Sequence, residues 1–376
     1  MRRSRATRIL GDLETSVVFL GGPRRVGKTW LAHDIAREFA RPVYLSYDSP
    51  GDRKTMQKQR WPGSADLLVL DEIHKMPGWK SYLHGVFGAG PAKPRVLAAG
   101  IARLGYSRQA GDPFPGRFSR HRLFPFSPGE LSAAGVAPDI DRLMRRGGFP
   151  EPFLEGEAFA RLWRGQYVGR LIHEDALDIE KFSDFKSLKL CLELLRGRVG
   201  SPVSYASIAR EVGIAPNTAR KYVRVFEELC VVFRVAPFAG DSKHGGIARS
   251  LLKEPKIYFY DTALVEGGDG ARLENLTALS LAKQAAYDED VRGVPAALCY
   301  IRTKDSREVD FCYVRGGAAQ FLAEAAMSEP GVGKDLRYFC DRHGIPGIQL
   351  VKDLKQERRE GNIEVRSAGA WLAGLE

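Results

Sequence analysis

Gly22-Pro23-Arg24-Arg25-Val26-Gly27-Lys28-Thr29 has the form GxxxxGK[ST], and its flanks give the pattern its meaning. The apolar run Val17-Val18-Phe19-Leu20 precedes it, and Trp30-Leu31-Ala32 opens an amphipathic stretch that reaches Phe39. A strand, a glycine loop and a helix in that order are the context that turns a short motif into a phosphate site. Gly22 and Gly27 let the loop turn so that its backbone N–H groups point inward at phosphate oxygens. The helix behind it adds the positive end of its dipole. In such a loop Lys28 reaches the β- and γ-phosphates and the Thr29 hydroxyl ligates magnesium. The stretch expected to contact nucleotide is Gly22, Pro23, Arg24, Arg25, Val26, Gly27, Lys28, Thr29 and Trp30.

A second signal supports the first. Leu67-Leu68-Val69-Leu70-Asp71-Glu72 is an apolar run that ends in two carboxylates. It reads as a buried parallel strand delivering acids at its C-terminal end, where ligands bind in open α/β sheets. Asp71 is expected near the magnesium held by Thr29, and Glu72 is expected to orient or deprotonate the attacking water.

Composition bounds the answer. The 376 residues are enough for two or three domains, and an apolar fraction of 44% is enough for real cores. A net charge of +11 favours an anionic partner such as nucleic acid. Cys191, Cys230, Cys299, Cys312 and Cys340 form no CxxC pair, so they read as reduced core residues of a cytoplasmic protein. Met1-Arg2-Arg3-Ser4-Arg5 is basic without an apolar region behind it, and no membrane partner is expected.

Up to about Pro150 the chain alternates strands and helices, with strands expected at 16–21, 42–47, 67–71, 96–99 and 122–126. A Pro/Gly loop is expected at 113–117, and Gly147-Gly148-Phe149-Pro150 marks a boundary. A helix over 157–180 is expected to share a face of Phe159, Leu162, Tyr167, Leu171 and Ile172, and a second helix covers 185–196. Two short helices follow, joined by Val212-Gly213-Ile214, and then a β-branched run at 230–238; together they read as a winged helix-turn-helix. Arg220, Lys221 and Arg224 on its second helix are the candidate DNA contacts. A Gly/Ser/Lys-rich mobile loop is expected at 241–253. A last α/β segment follows, with strands at 256–260, 297–302, 309–314, 321–324 and 348–351. The expected domains are 1–150, 151–238 and 239–376.

The last segment carries a third constellation. Glu274 on a helix, Asp310 in Glu308-Val309-Asp310-Phe311 and Glu324 at a strand end have the spacing of nuclease acids that share a magnesium ion. That pattern, (D/E)xK, places a lysine two residues after the last acid, and Ala326 stands there. Lys283 or Lys304 would have to supply the cation, so an inactive site is the preferred expectation.

These blocks, in this order, resemble a large prokaryotic family of AAA+-type ATPases. In that family an N-terminal ATPase domain precedes a winged helix and a restriction-endonuclease-like domain of unknown function. The resemblance rests on GGPRRVGKT, LLVLDEIHKMPGW (67–79), GRFSRHRLFPFSPGEL (116–131), GGFPEP and EVDF. It implies an α/β, P-loop parallel sheet, then the helical winged segment, then an α/β domain of PD-(D/E)xK type. It also implies ATP and Mg2+ as ligands and Arg117 as the arginine facing the γ-phosphate, in its own subunit or in a neighbour within a homo-oligomer. After the fourth strand the family shows a polar TGS-like turn, whereas this chain has Ala99-Gly100-Ile101-Ala102. Two functions follow. One is a Mg-dependent ATPase that couples nucleotide state to DNA or protein binding. The other is a nucleotide-gated interaction module with weak hydrolysis. A GTPase is disfavoured, because none of Asn217, Asn275 and Asn362 begins an NKxD signature.

Overall fold

A computed structural model describes residues 3–87, 94–101, 118–176, 184–238, 254–303, 305–328 and 331–376. Arg117, Lys304, the 113–117 loop and the whole 241–253 loop lie outside them. The chain divides into two compact units, Met1–Phe124 and Pro125–Glu376.

In the first unit the apolar runs become strands β1 (Val17–Gly21), β2 (Pro42–Ser46), β3 (Leu67–Asp71), β4 (Arg95–Gly100) and β5 (Phe118–Arg122). All five are parallel, in the order β2-β3-β4-β1-β5. β1 and β3 are buried along their whole length, as strands covered on both faces must be. Phe19, Leu68, Leu70, Val96 and Ala98 meet Trp79, Leu83 and Met56 from flanking helices. The order matters for chemistry, because β4 lies between the glycine-loop strand and the strand that ends in Asp71. Its end, Gly100-Ile101, therefore sits between the two.

One expected strand moves. The apolar Leu123-Phe124-Pro125-Phe126 places a strand at 122–126, but β5 is the polar Phe118–Arg122, paired from Val17–Phe118 to Gly21–Arg122. Pro125 has no N–H for a ladder. An edge strand needs few apolar residues, and among its central residues only His121 is fully buried, within 2.9 Å of Asp12.

In the second unit eight strands form one sheet in the order β12-β13-β11-β10-β9-β8-β6-β7. They are β6 (Val232–Pro237), β7 (Lys256–Phe259), β8 (Ala296–Arg302), β9 (Glu308–Arg315), β10 (Ala318–Ala326), β11 (Gly347–Val351), β12 (Arg358–Glu360) and β13 (Ile363–Ser367). The long helix Gly268–Asp290 packs Ala278, Leu281 and Ala285 on Tyr258, Tyr300 and Phe311. The helix Lys334–His343 packs Leu336 and Phe339 with Val309, Cys312 and Leu322 in a separate core.

Helices Phe185–Arg196, Tyr205–Val212 and Pro216–Glu228 precede β6. Gly213, at φ 79°, makes the left-handed turn that ends the middle one. The strand expected to stand as a wing is part of the large sheet instead, since β6 pairs with β7 and, through Ala236–Cys299 and Pro237–Tyr300, with β8.

Two further expectations are corrected. Residues 125–150, expected with the first domain, pack in the second unit: Phe126, Leu131, Leu143 and Phe153 share a core with Leu276, Leu350 and Leu372. The helix Glu157–Arg170 buries Ala160, Trp163 and Tyr167, while Phe159 and Leu162 are exposed. The aromatic pair Trp163 and Tyr167, stacked at 4.7 Å and lying beside Phe149, decides which face turns inward.

Candidate functional site

The loop 22–27 joins β1 to the helix Lys28–Ala36. Gly22 is required by a close approach: a Cβ there would lie 2.4 Å from the Leu123 carbonyl oxygen. Gly27 is required by conformation, with φ at 97°. Lys28 is buried, and its Nζ donates to the carbonyls of Gly22 (3.1 Å) and Pro23 (2.7 Å). Trp30, one turn into the helix, is 47% exposed.

Strand order brings the acids to this loop. The Thr29 hydroxyl donates to Asp71 Oδ2 at 2.8 Å, which ties the start of the helix to the end of β3. Asp71 Oδ2 also accepts from the Tyr44 hydroxyl of β2, and Asp71 Oδ1 accepts from the Glu72 N–H at 2.9 Å. Burial and the bond to Asp71 push the Tyr44 hydroxyl's pKa upward, so it acts as a donor. Tyr44 stacks on His33 at 4.3 Å. Nothing in the sequence singles out Tyr44, because a tyrosine in a half-buried strand is ordinary.

Glu72 sits in the left-handed region at φ 53°, uncommon for a residue with a side chain. Its Oε2 is buried and has no hydrogen-bond partner among the described residues. Burial raises its pKa, the nearby Lys28 opposes that rise, and the neighbouring Asp71 adds to it. His74 Nδ1 lies 3.5 Å from Glu72 Oε2 and accepts a 3.4 Å bond from the Ile101 N–H. A Cβ on Gly100 would lie 2.7 Å from the same Nδ1, so the imidazole fills the end of β4. Burial, then Lys28, Lys75 and Arg24, push His74 down to about 3, which keeps the ring neutral. The turn that lacks hydroxyls thus has an imidazole against it, a replacement visible in the sequence only as the His of Asp71-Glu72-Ile73-His74.

The third constellation assembles in the second unit around a cation from an unexpected strand. Lys256, on β7 and fully buried, places Nζ 2.7 Å from Glu308, 2.9 Å from Asp310 and 3.8 Å from Glu274. Tyr258 donates to Glu274 at 2.7 Å. Burial and the neighbouring Asp310 push Glu274 up to about 7. Burial, Asp310 and Asp335 push Glu324 up to about 8. Glu324 lies against Gly333, where a Cβ would sit 2.1 Å from its Oε2. Among the described residues no group of three or more His, Cys, Asp or Glu is arranged to hold a metal ion.

Lys283, named from sequence as a substitute cation, is committed elsewhere. It is buried against Glu130 (2.6 Å) and Ser127 (2.9 Å). Arg220, Lys221 and Arg224 are all exposed on the Pro216–Glu228 helix, while Tyr222, Val223 and Phe226 are buried under it. Arg224 pairs with Glu228 at 3.2 Å, and Arg220 lies over the Tyr205 ring.

Comparison with known proteins agrees with the first unit's geometry. Residues 14–132 match the family model of an AAA domain, which, together with the loop, supports a P-loop ATPase of the AAA class. Residues 137–271 match a domain of unknown function, DUF8612. Uncharacterized proteins of Mycobacterium bovis and Mycobacterium tuberculosis are each 24% identical over 346 residues, covering 89% of this chain and 76% of theirs. Among solved structures, the Thermotoga maritima RuvB Holliday junction branch migration motor is 20% identical, with 61% of this chain and 89% of that one covered and a TM-score of 0.32. A Walker-type ATPase of Pyrococcus abyssi is 11% identical, with 70% and 94% covered and a TM-score of 0.42. Among the described residues no helix is long and apolar enough to cross a membrane.

Proposed function

We propose that this chain binds and hydrolyses ATP with magnesium and that its nucleotide state governs a contact with DNA or a protein partner. The observation that carries the reading is the Thr29–Asp71 bond at 2.8 Å, with Glu72 beside it holding a buried oxygen that has no hydrogen-bond partner among the described residues. A hydroxyl and a carboxylate brought together beside a phosphate-sized loop are the hard oxygen donors that Mg2+ prefers, so Thr29 and Asp71 would hold it. When bound, the ion neutralises charge on the transferring phosphoryl group.

The rest of the chemistry belongs to the chain. Lys28 turns from the Gly22 and Pro23 carbonyls to the γ-phosphate, exchanging neutral acceptors for charged ones. The loop N–H groups and the helix dipole hold the β-phosphate. Glu72 accepts a bond from the attacking water, and its raised pKa favours taking the proton. His74 holds the β4 end by accepting from the Ile101 N–H, and its ring lies against Glu72. Arg117, in its own subunit or in that of a neighbouring copy, completes the charge stabilisation. Arg220, Lys221 and Arg224 meet phosphates if the partner is DNA.

The acid cluster of the second unit we read as closed and not cleaving. Lys256 brings a positive charge where a nuclease would hold its ion.

Calorimetry and turnover assays test the ATPase reading. Lys28→Ala is expected to abolish measurable ATP affinity. Glu72→Gln is expected to retain ATP while turnover falls by about 10²–10⁴-fold, the usual contribution of a general base. Full turnover in the Gln variant would overturn the assignment.

A second reading has one observation behind it. The β4 turn, Ala99-Gly100-Ile101, lacks hydroxyls, which favours a nucleotide-gated interaction module with slow hydrolysis. ATP binding without magnesium-dependent turnover in the wild type would select it.

A further inference from the structure

A cavity of about 350 Å³ opens in the second unit beside the helix Glu157–Arg170 and its continuation, a turn of π-helix at Leu171–Asp175. Helix Phe185–Arg196 and Leu264 form its other walls. Its size falls within the range of roughly 300–1,000 Å³ usual for small-molecule sites. π-Turns inside α-helices are rare and concentrate at functional sites.

Charge is what distinguishes this cavity. Its lining includes Arg161, Arg164, Lys189 and Arg196 against one carboxylate, Glu193. Arg196 is spoken for: it bonds Glu193, Glu266 at 2.7 Å and the Leu264 carbonyl at 2.8 Å. Among the described residues, Arg161, Arg164 and Lys189 have no carboxylate in the lining but Glu193. Arg164 is half-buried and reaches the Arg145 carbonyl at 3.4 Å. Burial depresses its guanidinium. Asp261 opposes that effect, and Arg196, Arg272 and Arg161 reinforce it. Asp261 is itself buried and pushed up to about 6 by desolvation, so it is still largely ionised at neutral pH and offsets part of the Arg164 charge.

The wall between these cations is cut away. Gly165 and Gly169 stand one turn apart on the helix, and a Cβ on either would meet nothing within 4 Å. Glycine costs helix stability, and two of them here keep the floor of a cationic cavity open.

We propose that this cavity binds a small phosphorylated molecule, held by Arg161, Arg164 and Lys189. Guanidinium groups match phosphate oxygens in paired hydrogen bonds, and the excess of cations over carboxylates among the described lining residues fits an anion of two or more charges. A half-open cavity of this volume suits a compact anion better than a polymer backbone, which follows an extended groove. The site is independent of the glycine loop and does not rest on the ATPase reading.

The test uses the full chain carrying Lys28→Ala, which silences the loop, titrated with pyrophosphate by calorimetry. One binding event is expected. Arg161→Ala/Arg164→Ala should weaken it at least tenfold. Gly165→Leu/Gly169→Leu keeps every charge, improves helix propensity and fills the space, and it should weaken binding equally; a thermal melt checks that both variants fold. Absence of binding at millimolar pyrophosphate would overturn the proposal, and so would undiminished affinity in both pocket variants. Citrate bound as tightly as pyrophosphate would overturn the phosphate assignment. Displacement of pyrophosphate by duplex DNA would reassign the cations to a polymer and overturn the small-molecule site.

Discussion

Among the described residues three lysines are buried beside carboxylates, and the two at the candidate sites are held in opposite ways. Lys28 in the first unit is bonded to the carbonyls of its own loop, Gly22 and Pro23. Lys256 in the second is bonded to Glu308 and Asp310, with Glu274 next to it. A lysine hydrogen-bonded to neutral carbonyls can turn to an incoming phosphate at the cost of those two bonds. A lysine on carboxylates cannot leave without uncovering buried negative charge, which is far more costly. The neighbours follow the same division. Glu72 keeps a buried oxygen without a hydrogen-bond partner among the described residues, whereas Glu274 accepts from Tyr258. One site is built to receive an anion; the other is already neutralised from within.

The sharpest way to break this contrast is Lys256→Met. If the cluster is closed, removing its cation strands three carboxylates and should cost about 3–5 kcal/mol, as breaking a buried ion pair does. Urea unfolding of the second unit measures it. Adding Glu308→Gln and Asp310→Asn should recover part of the loss. A cost below about 1 kcal/mol would mean the acids are solvated like a surface pair. If millimolar magnesium restores the stability of Lys256→Met, the ammonium has been standing in for a divalent ion.

The two regions also differ in how far the sequence reveals them. The loop, Asp71 and Glu72 are local: a strand, a glycine turn and a helix lie within one short stretch, and a buried parallel strand announces its acids by its apolar run. Lys256 is invisible for a physical reason. The expected cation position is defined by sequence distance from Glu324, but a sheet brings together residues far apart in the chain, and β7 reaches these acids across the sheet. The packing of residues 125–150 is hidden for a related reason. The sequence places this segment with the first domain, yet Glu130 is buried on Lys283, more than 150 residues away. Patterns of period two and 3.6 report elements, whereas partners chosen by long-range pairing leave no local trace. Tyr44 and His74 lie between these cases. Both lie within short reach of the motif, but their roles depend on which strands are neighbours.

A smaller effect sharpens the account of the open site. His74→Leu keeps most of the volume but removes the acceptor for the Ile101 N–H and the ring facing Glu72. Turnover should fall about tenfold, near 1.4 kcal/mol, with ATP affinity unchanged, and His74→Gln should recover much of it. Because burial holds His74 near 3, turnover should show no titration from this ring between about pH 6 and pH 8. A pure packing role would lower thermal stability in both variants and leave turnover per folded molecule intact.

The smallest expected effect probes the residual charge of the closed site. Burial, with Asp310 and Asp335, lifts Glu324 from an ordinary 4.5 to about 8. The folded state therefore holds a proton that the unfolded chain has already released, and stability is lost as pH rises from about 4.5 to about 8. Glu324→Gln mimics the protonated form at every pH. It should be close to wild type near pH 5 and more stable than wild type above pH 8, by on the order of 1–2 kcal/mol once solvent access is allowed for. Denaturant midpoints at those two pH values measure the difference. A constant gap would mean that Glu324 is ionised throughout, so that Lys256 neutralises all four acids and the cluster holds no proton of its own. A gap that widens with pH would show that one ammonium serves three carboxylates and that the fourth stays neutral by keeping its proton, which removes one negative charge from those a metal ion would meet.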